Sequence, residues 1–320
     1  MDLVTFGEAM VRLSPPNHQR LEQARSFDVH VGGAELNVAV AAARLGHAAR
    51  WVSRLPANPL GKMIASRARE QGVDLHVDWA TDARAGLYFV EPGAAPRTPN
   101  VLYDRAASAM SRIAPGTIDW DSVLTDARWL HVSGITPTLS DSAAAVTREA
   151  LAAAKAAGLT VSYDVNYRRR LCSPEHARAV QETLLEHVDL LIATDEDARL
   201  LFDTEGGSCE DIALAFAGRF DCRAVAITLY DGRTSAVVAA DGDVHRAPCH
   251  EIQVVDRIGA GDAFAAGLIV GALEERGWDE ALRLATAMSA LKHSIPGDFC
   301  LVTRAEVDQL MRGAGRRVSR

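Results

Sequence analysis

Apolar runs rich in β-branched residues alternate along the chain with alanine-rich stretches of helical spacing, and this alternation predicts successive parallel βα units. Leu3–Phe6 opens as a short buried strand. Gly33–Leu45 (GAELNVAVAAARL) consists of good helix formers, and Gly46 stops it. Ala49–Leu55 reads as strand and Leu60–Gln71 as helix, followed by Gly72. Trp129–Gly134 is a strand, Asp141–Ala157 a helix closed by Gly158, and Thr160–Val165 the next strand. Pro174–His187 is helical, with Pro174 in the first turn, where a missing N–H costs nothing. Val188–Ala193, Ala224–Leu229 and Ser235–Ala239 are strands, and Gly261–Glu275 and Asp279–Ser289 are consecutive helices. The pattern predicts a doubly wound, mostly parallel sheet that binds ligands at the carboxyl ends of its strands.

One region breaks the rhythm. Between Val73 and Arg105 run VDLHVDWA, GLYFVEPG and NVLYDRA, short and partly alternating, without helices between them. They predict a small antiparallel sheet, joined by part of Val11–His30. The insert then covers roughly 11–30 and 73–107 of one α/β domain running from 1 to 320. Beside an active site such an insert serves as a lid.

Composition narrows the class. With 320 residues, 48 % hydrophobic and 24 % charged, the chain can bury a large core without disulfides or metals. A net charge of -8 from 34 basic and 42 acidic residues argues against a nucleic-acid binder. Cys172, Cys209, Cys222, Cys249 and Cys300 are scattered and form no CxxC pair, which argues against a local zinc or redox motif. The start, MDLVTFGEAMVRLS, lacks the pattern of a signal peptide. The longest apolar run, Ala263–Leu273, falls short of the ~20 residues of a membrane span. These features predict a soluble cytoplasmic protein. The tail Gly313–Arg320 reads as frayed.

The sharpest chemical signal is Val254–Phe264, VVDRIGAGDAF. Gly259, Ala260 and Gly261 crowd backbone N–H groups at a helix N-terminus, which makes an anion hole. Asp262 follows in the first helical turn. It either takes a proton from a hydroxyl attacking a bound phosphoryl group, or is a helix-start acid that complements the dipole. Pro56–Met63 is not a P-loop, because proline replaces its first glycine and Met63 its Ser/Thr. GAGDAF is not GxGxxG, because Phe264 takes the third glycine's place.

GAGDAF, with Gly32, Gly33 and Asn37 near the start, resembles the PfkB (ribokinase-like) family of sugar and nucleoside kinases. The resemblance runs from GEAM at Gly7 to SALKHSIPGDF at Ser289–Phe299. Within the family it is closest to 2-keto-3-deoxygluconate kinases, through GGAELNVA, YDR (Tyr103–Arg105), HVSGITPTLS and YDVNYR. It implies a ribokinase-like fold with a β-sheet lid, and ATP-dependent transfer to a primary hydroxyl, with Mg²⁺ and room for a monovalent cation such as K⁺. Asp262 would be the general base and Gly259–Gly261 the anion hole. Gly32 and Gly33 would approach the sugar closely, and Asn37 would supply a polar contact.

The substrate of such a kinase carries a carboxylate, for which arginine's planar fork is the natural partner. Arg105 and Arg168 hold the family positions. Tyr88 and Tyr103, from the same lid strands, would cover the sugar, with Phe89 on the opposite face. On the nucleotide side the family's N-x-x-E is replaced by Thr194-Asp195-Glu196-Asp197, and the glycine after its TL pair by Tyr230, following Thr228-Leu229. Asp197 would then act through water on hydrated Mg²⁺. His293, Ser294 and Gly297 would border the adenine, and lids of this family pair into dimers. The rivals are a fructokinase or other neutral-sugar kinase, a nucleoside kinase and a catalytically silent sugar sensor.

Overall fold

In a computed structural model, residues 1–204, 207–230 and 233–313 are described. The strands are β1 (Leu3–Phe6), β2 (Met10–Ser14), β3 (Asp28–Gly32), β4 (Ala49–Pro56), β5 (Asp74–Ala80), β6 (Gly86–Glu91), β7 (Asn100–Asp104), β8 (Trp129–Ser133), β9 (Thr160–Asp164), β10 (Leu190–Thr194), β11 (Ala224–Tyr230), β12 (Arg233–Ala240), β13 (Asp243–Arg246) and β14 (His250–Glu251). The helices are α1 (Ala34–Arg44), α2 (Pro59–Glu70), α3 (Trp120–Leu124), α4 (Asp141–Ala156), α5 (Pro174–Glu182), α6 (Asp195–Phe202), α7 (Cys209–Phe220), α8 (Ala260–Leu273), α9 (Trp278–Lys292) and α10 (Arg304–Met311). Among the described residues, no helix is long and apolar enough to cross a membrane. The sequence reading of the tail, apart from Gly313, lies outside the described residues, as does the side chain of Tyr230.

β1 lies inside the main sheet, whose order is β13-β12-β11-β10-β9-β8-β1-β4-β5, with β14 on β12. From β11 to β5 every neighbouring pair is parallel; β12 and β13 are added antiparallel. This is the ribokinase-like α/β architecture. β1 and β8 are buried end to end and β9 beyond Thr160, as a sheet covered by helices on both faces requires. One apolar cluster packs α1, α8 and α9 on one face, and a second packs α4, α5 and α7 on the other. The chain leaves β1 toward β4 and later returns to its other side with β8. The direction therefore switches between β1 and β8, where a crevice opens at the strands' carboxyl ends.

Glu35 seals that switch point. Its carboxylate, almost wholly buried, accepts the Ser133 N–H (3.1 Å) and the hydroxyls of Ser133 (2.7 Å) and Thr136 (3.0 Å). Burial outweighs these bonds and pushes its pKa up to about 7.

A second sheet, β3-β2-β6-β7, forms the lid. Its inner face carries Arg12, His30, Tyr88 and Tyr103 in register. On its outer face Val29, Leu13, Phe89 and Leu102 line up strand by strand. The expectation that VDLHVDWA belongs here is corrected: it is β5, parallel to β4 at the edge of the main sheet. A half-covered edge strand and a lid strand share the same partial alternation, so periodicity could not separate them.

Candidate active site

The turn from β3 into α1, the ends of β8, β9, β10 and β11, the inner lid face and the start of α8 enclose a cleft of about 720 Å³. Most of the site residues predicted from the sequence line it together: Gly32, Gly33, Asn37, Tyr88, Tyr103, Arg105, Arg168, Thr194, Asp197, Thr228, Gly259, Ala260, Gly261, Asp262 and His293. The exceptions are Ser294, whose hydroxyl donates to the Leu291 carbonyl at 2.7 Å, and Gly297. The Gly297 N–H donates to Asp256 Oδ2 at 3.0 Å, and a side chain on Gly297 would strike His30, so it belongs to the packing behind the cleft.

Gly259 is the N-cap of α8 in the left-handed conformation (φ 86°), the geometry that turns successive amides toward one point. A Cβ there would lie 2.0 Å from the Asp298 carbonyl, so sterics also demand glycine. At Gly261 a methyl would meet only open space. Asp262, in the first turn, is buried and accepts an amide hydrogen bond from Asn37 Nδ2 at 2.6 Å. Burial pushes its pKa up to about 6, against the pull of Asn37 and of the Arg168 guanidinium. It is a carboxylate at pH 7 and readily takes a proton. Gly33 sits where a Cβ would collide with the Glu8 carbonyl, so α1 starts hard against the chain leaving β1.

The two arginines differ. Arg105 donates through Nε (2.8 Å) and Nη2 to the same oxygen of buried Glu8, whose other oxygen accepts from Ser108. Its plane is fixed and its charge largely matched. Arg168 has no carboxylate within ion-pair distance among the described residues; its Nη1 donates to the Tyr167 carbonyl at 3.3 Å. It faces Asp164, Asp197 and Asp262 across the cleft. Burial holds the Asp164 carboxyl well above the usual range, the Asp262 charge adds to this, and Arg168 opposes it.

The lid is fastened to the segments before α8 and after α9 chiefly by Arg12, Asp256 and Asp298, which the sequence reading did not single out. Arg12 of β2 reaches Asp256 at 2.7 Å and Asp298 at 3.0 Å, all three nearly buried. The Tyr88 hydroxyl donates to Asp298, so Tyr88 ties lid to loop instead of offering its proton to a sugar; its ring stacks on Tyr103 (centroids 5.9 Å apart). Glu8 and Asp298 stand inside GEAM and PGDF, segments already noted for their resemblance, but their partners are distant in sequence. Phe89 faces the other way, against Phe27.

On the far side, Thr194 caps α6 by accepting the Asp197 N–H at 2.9 Å, which places the Asp197 carboxylate, mostly buried, at the cleft edge. Burial raises its pKa, against Arg168. Thr228 and Leu229 line the same edge from β11. His293 donates Nδ1–H to the Ser289 carbonyl at 2.7 Å, and burial keeps its pKa low. Among the described residues no His, Cys, Asp and Glu cluster forms a metal cage. Asp197, at the cleft edge, is the carboxylate that would suit a hydrated divalent cation, which keeps most of its waters and needs no cage of protein ligands.

A family model described as "pfkB family carbohydrate kinase" matches residues 1–298. The 2-dehydro-3-deoxygalactonokinase of Haloferax volcanii is 41 % identical over 319 residues, covering 100 % of this chain and 99 % of that protein. The 2-dehydro-3-deoxygluconokinase of Bacillus subtilis is 31 % identical over 303 residues, 93 % of this chain and 91 % of that one. The crystal structure of 2-dehydro-3-deoxygluconokinase from Thermotoga maritima superposes with a TM-score of 0.95 at 41 % identity, covering 98 % of each chain.

Proposed function

The chain belongs to the pfkB family of carbohydrate kinases, and from that premise we propose that it transfers the γ-phosphoryl group of ATP to the primary hydroxyl of 2-keto-3-deoxygluconate, yielding the 6-phosphate. The relatives at 41 % identity act, by their names, on the gluconate-derived and the galactonate-derived acid, so the epimer is the finer part of the proposal. The observation that carries it is Asp262 beside the Gly259–Gly261 amides in one cleft with Arg168.

The acceptor lies between the lid and Gly32-Gly33, its carboxylate toward Arg168 and the free Nη1 edge of Arg105. Its hydroxyl meets Asp262, which removes the proton as the oxygen attacks phosphorus. The amides of Gly259–Gly261 stabilise charge on the transferring group. Asp197 would hold Mg²⁺ through water, and the ion would supply neutralisation of the phosphate charge. Tyr103 and the lid strands exclude water, which limits wasteful hydrolysis of ATP. Thr194, Asp197, Thr228 and His293 border the nucleotide. We place the reaction in the cytoplasm, where ATP is. The outer lid row, with Val29 49 % and Leu102 52 % exposed, is the face through which two copies would pair.

One observation favours a second reading. Glu8 already matches the charge of Arg105, which suits a neutral sugar such as fructose better than a carboxylate. Release of ADP from ATP and Mg²⁺ across 2-keto-3-deoxygluconate, its galactonate epimer, fructose, ribose and adenosine decides between them. Turnover confined to the ketodeoxy acids supports the proposal; turnover on fructose removes the carboxylate part. Sugar binding without turnover would make the protein a sensor.

A further inference from the structure

We propose that the Lys292 ammonium is a built-in cation that holds the phosphoryl-binding loop in shape, so that turnover needs no monovalent metal ion. The inference rests on the phosphoryl-transfer reading above. Lys62, Lys155 and Lys292 are the only lysines of the chain, and Lys292, the last residue of α9, is 0 % exposed. Its Nζ donates to the carbonyls of Asp256 and Ile295, each at 3.1 Å. The first carbonyl belongs to the segment leading into the anion hole, and the second to the loop that ends in Asp298. The stem runs directly behind the hole, with Cε 3.2 Å from where a Cβ on Gly259 would stand.

The Asp256 carboxylate is occupied elsewhere, by Arg12 at 2.7 Å and by the N–H groups of Ile258 (3.1 Å) and Gly297 (3.0 Å). The ammonium is thus spent on backbone oxygens. An ammonium group and a potassium ion ask for the same surroundings, a shell of oxygens from neighbouring loops, and here the lysine already takes these two. Without it, both carbonyls would converge on an empty, dry space and be left unsatisfied, and the two loops would part. A planar guanidinium lacks this compact charge, which fits a lysine at this place in a chain that otherwise favours arginine. The structure therefore does not suit a resident K⁺ at this loop, against the expectation that one is accommodated.

The test uses the full-length protein in tetramethylammonium buffer free of K⁺, Na⁺ and NH₄⁺, with and without KCl, reading both ADP release and melting temperature. Wild-type turnover is expected to change by less than about twofold on adding K⁺, and its melting temperature not at all, since no ion binds this loop. Lys292→Ala is expected to lose about 100-fold in kcat with the sugar KM nearly kept. Ethylammonium, NH₄⁺ or K⁺ should restore part of its turnover and raise its melting temperature. Stimulation of the wild type by about tenfold or more, or a rise in its melting temperature with K⁺, would overturn the proposal. So would a folded Lys292→Ala with wild-type kcat. If Lys292→Ala does not fold, the wild-type titration alone decides. No ADP from any acceptor in either buffer would refute the kinase reading instead, and the response of the wild-type melting temperature to K⁺ would still decide on Lys292.

Discussion

Asn37 and Asp262 stand 225 residues apart in the chain and 2.6 Å apart in the structure, the amide of one donating to the carboxylate of the other. The bond does two things. It aims the carboxylate from the N-terminal turn of α1 across to that of α8, and it favours the charged form that burial disfavours.

Asp262→Asn should lower kcat by about 10²–10⁴-fold, the range of a lost general base, and leave the sugar KM nearly unchanged. Steady-state kinetics check this; wild-type turnover would remove the assignment. In the wild type, kcat/KM should fall as the pH drops through about 6, because the base is then protonated. Asn37→Ala removes an interaction that lowers this pKa, so its acid limb should move to higher pH.

Arg168→Ala should raise KM for a carboxylate-bearing acceptor by roughly 10- to 100-fold, the worth of a lost charge-assisted hydrogen bond. Neutral sugars, tested in parallel, should suffer far less. An equal loss for both would show that Arg168 acts on the phosphates, or on Asp164 and Asp197, instead.

Glu35 gives a stability prediction with a definite sign. Its pKa is about 7 in the folded chain against 4.5 in the unfolded one. Between those values the folded state binds more protons, so stability should be full below about 4.5 and decline as the pH rises through 7. The total is of order 3 kcal/mol. Glu35→Gln keeps the acceptor for Ser133 and Thr136 and should flatten this part of the profile of melting temperature against pH. An unchanged slope would show that Glu35 is charged throughout.

Leu102→Glu places a charge in the exposed outer row of the lid. Sedimentation should show a dimer for the wild type and a monomer for the variant, with the melting temperature of the monomer little changed because the side chain is already half exposed. A wild type that sediments as a monomer would end the lid-pairing proposal.

Much of the body was legible because local signals agreed with the fold. Gly46, Gly72 and Gly158 take the left-handed conformation just after the helices they were expected to stop. The helix predicted over Gly33–Leu45 is α1, and the strand predicted over Leu3–Phe6 is β1. The helix predicted over Pro174–His187 ends as α5 at Glu182, with a separate 3-10 turn at Leu185–His187. α7 escaped notice, since its acidic start resembles loop sequence; in the structure Ser208 caps it, as Thr194 caps α6. The cleft residues carried by short motifs were found. What stayed hidden were the ties between motifs, such as Arg12 with Asp256 and Asp298, or Glu8 with Arg105. Each joins groups that no local pattern relates, and buried arginine looks like surface arginine until the fold brings its partner.

The fastening of β2 to Asp256 and Asp298 bears on how the protein is made. Synthesis runs from the N-terminus, and domains complete themselves only when distant partners have emerged. Lid strands, Glu8 and Asn37 leave the ribosome first, and Asp262, Lys292 and Asp298 come in the last fifth of the chain. Until then Arg12 of the early lid lacks its Asp298 partner. A chain that ends before Asp262 therefore lacks the proposed base as well as the Asp298 carboxylate that fastens the lid.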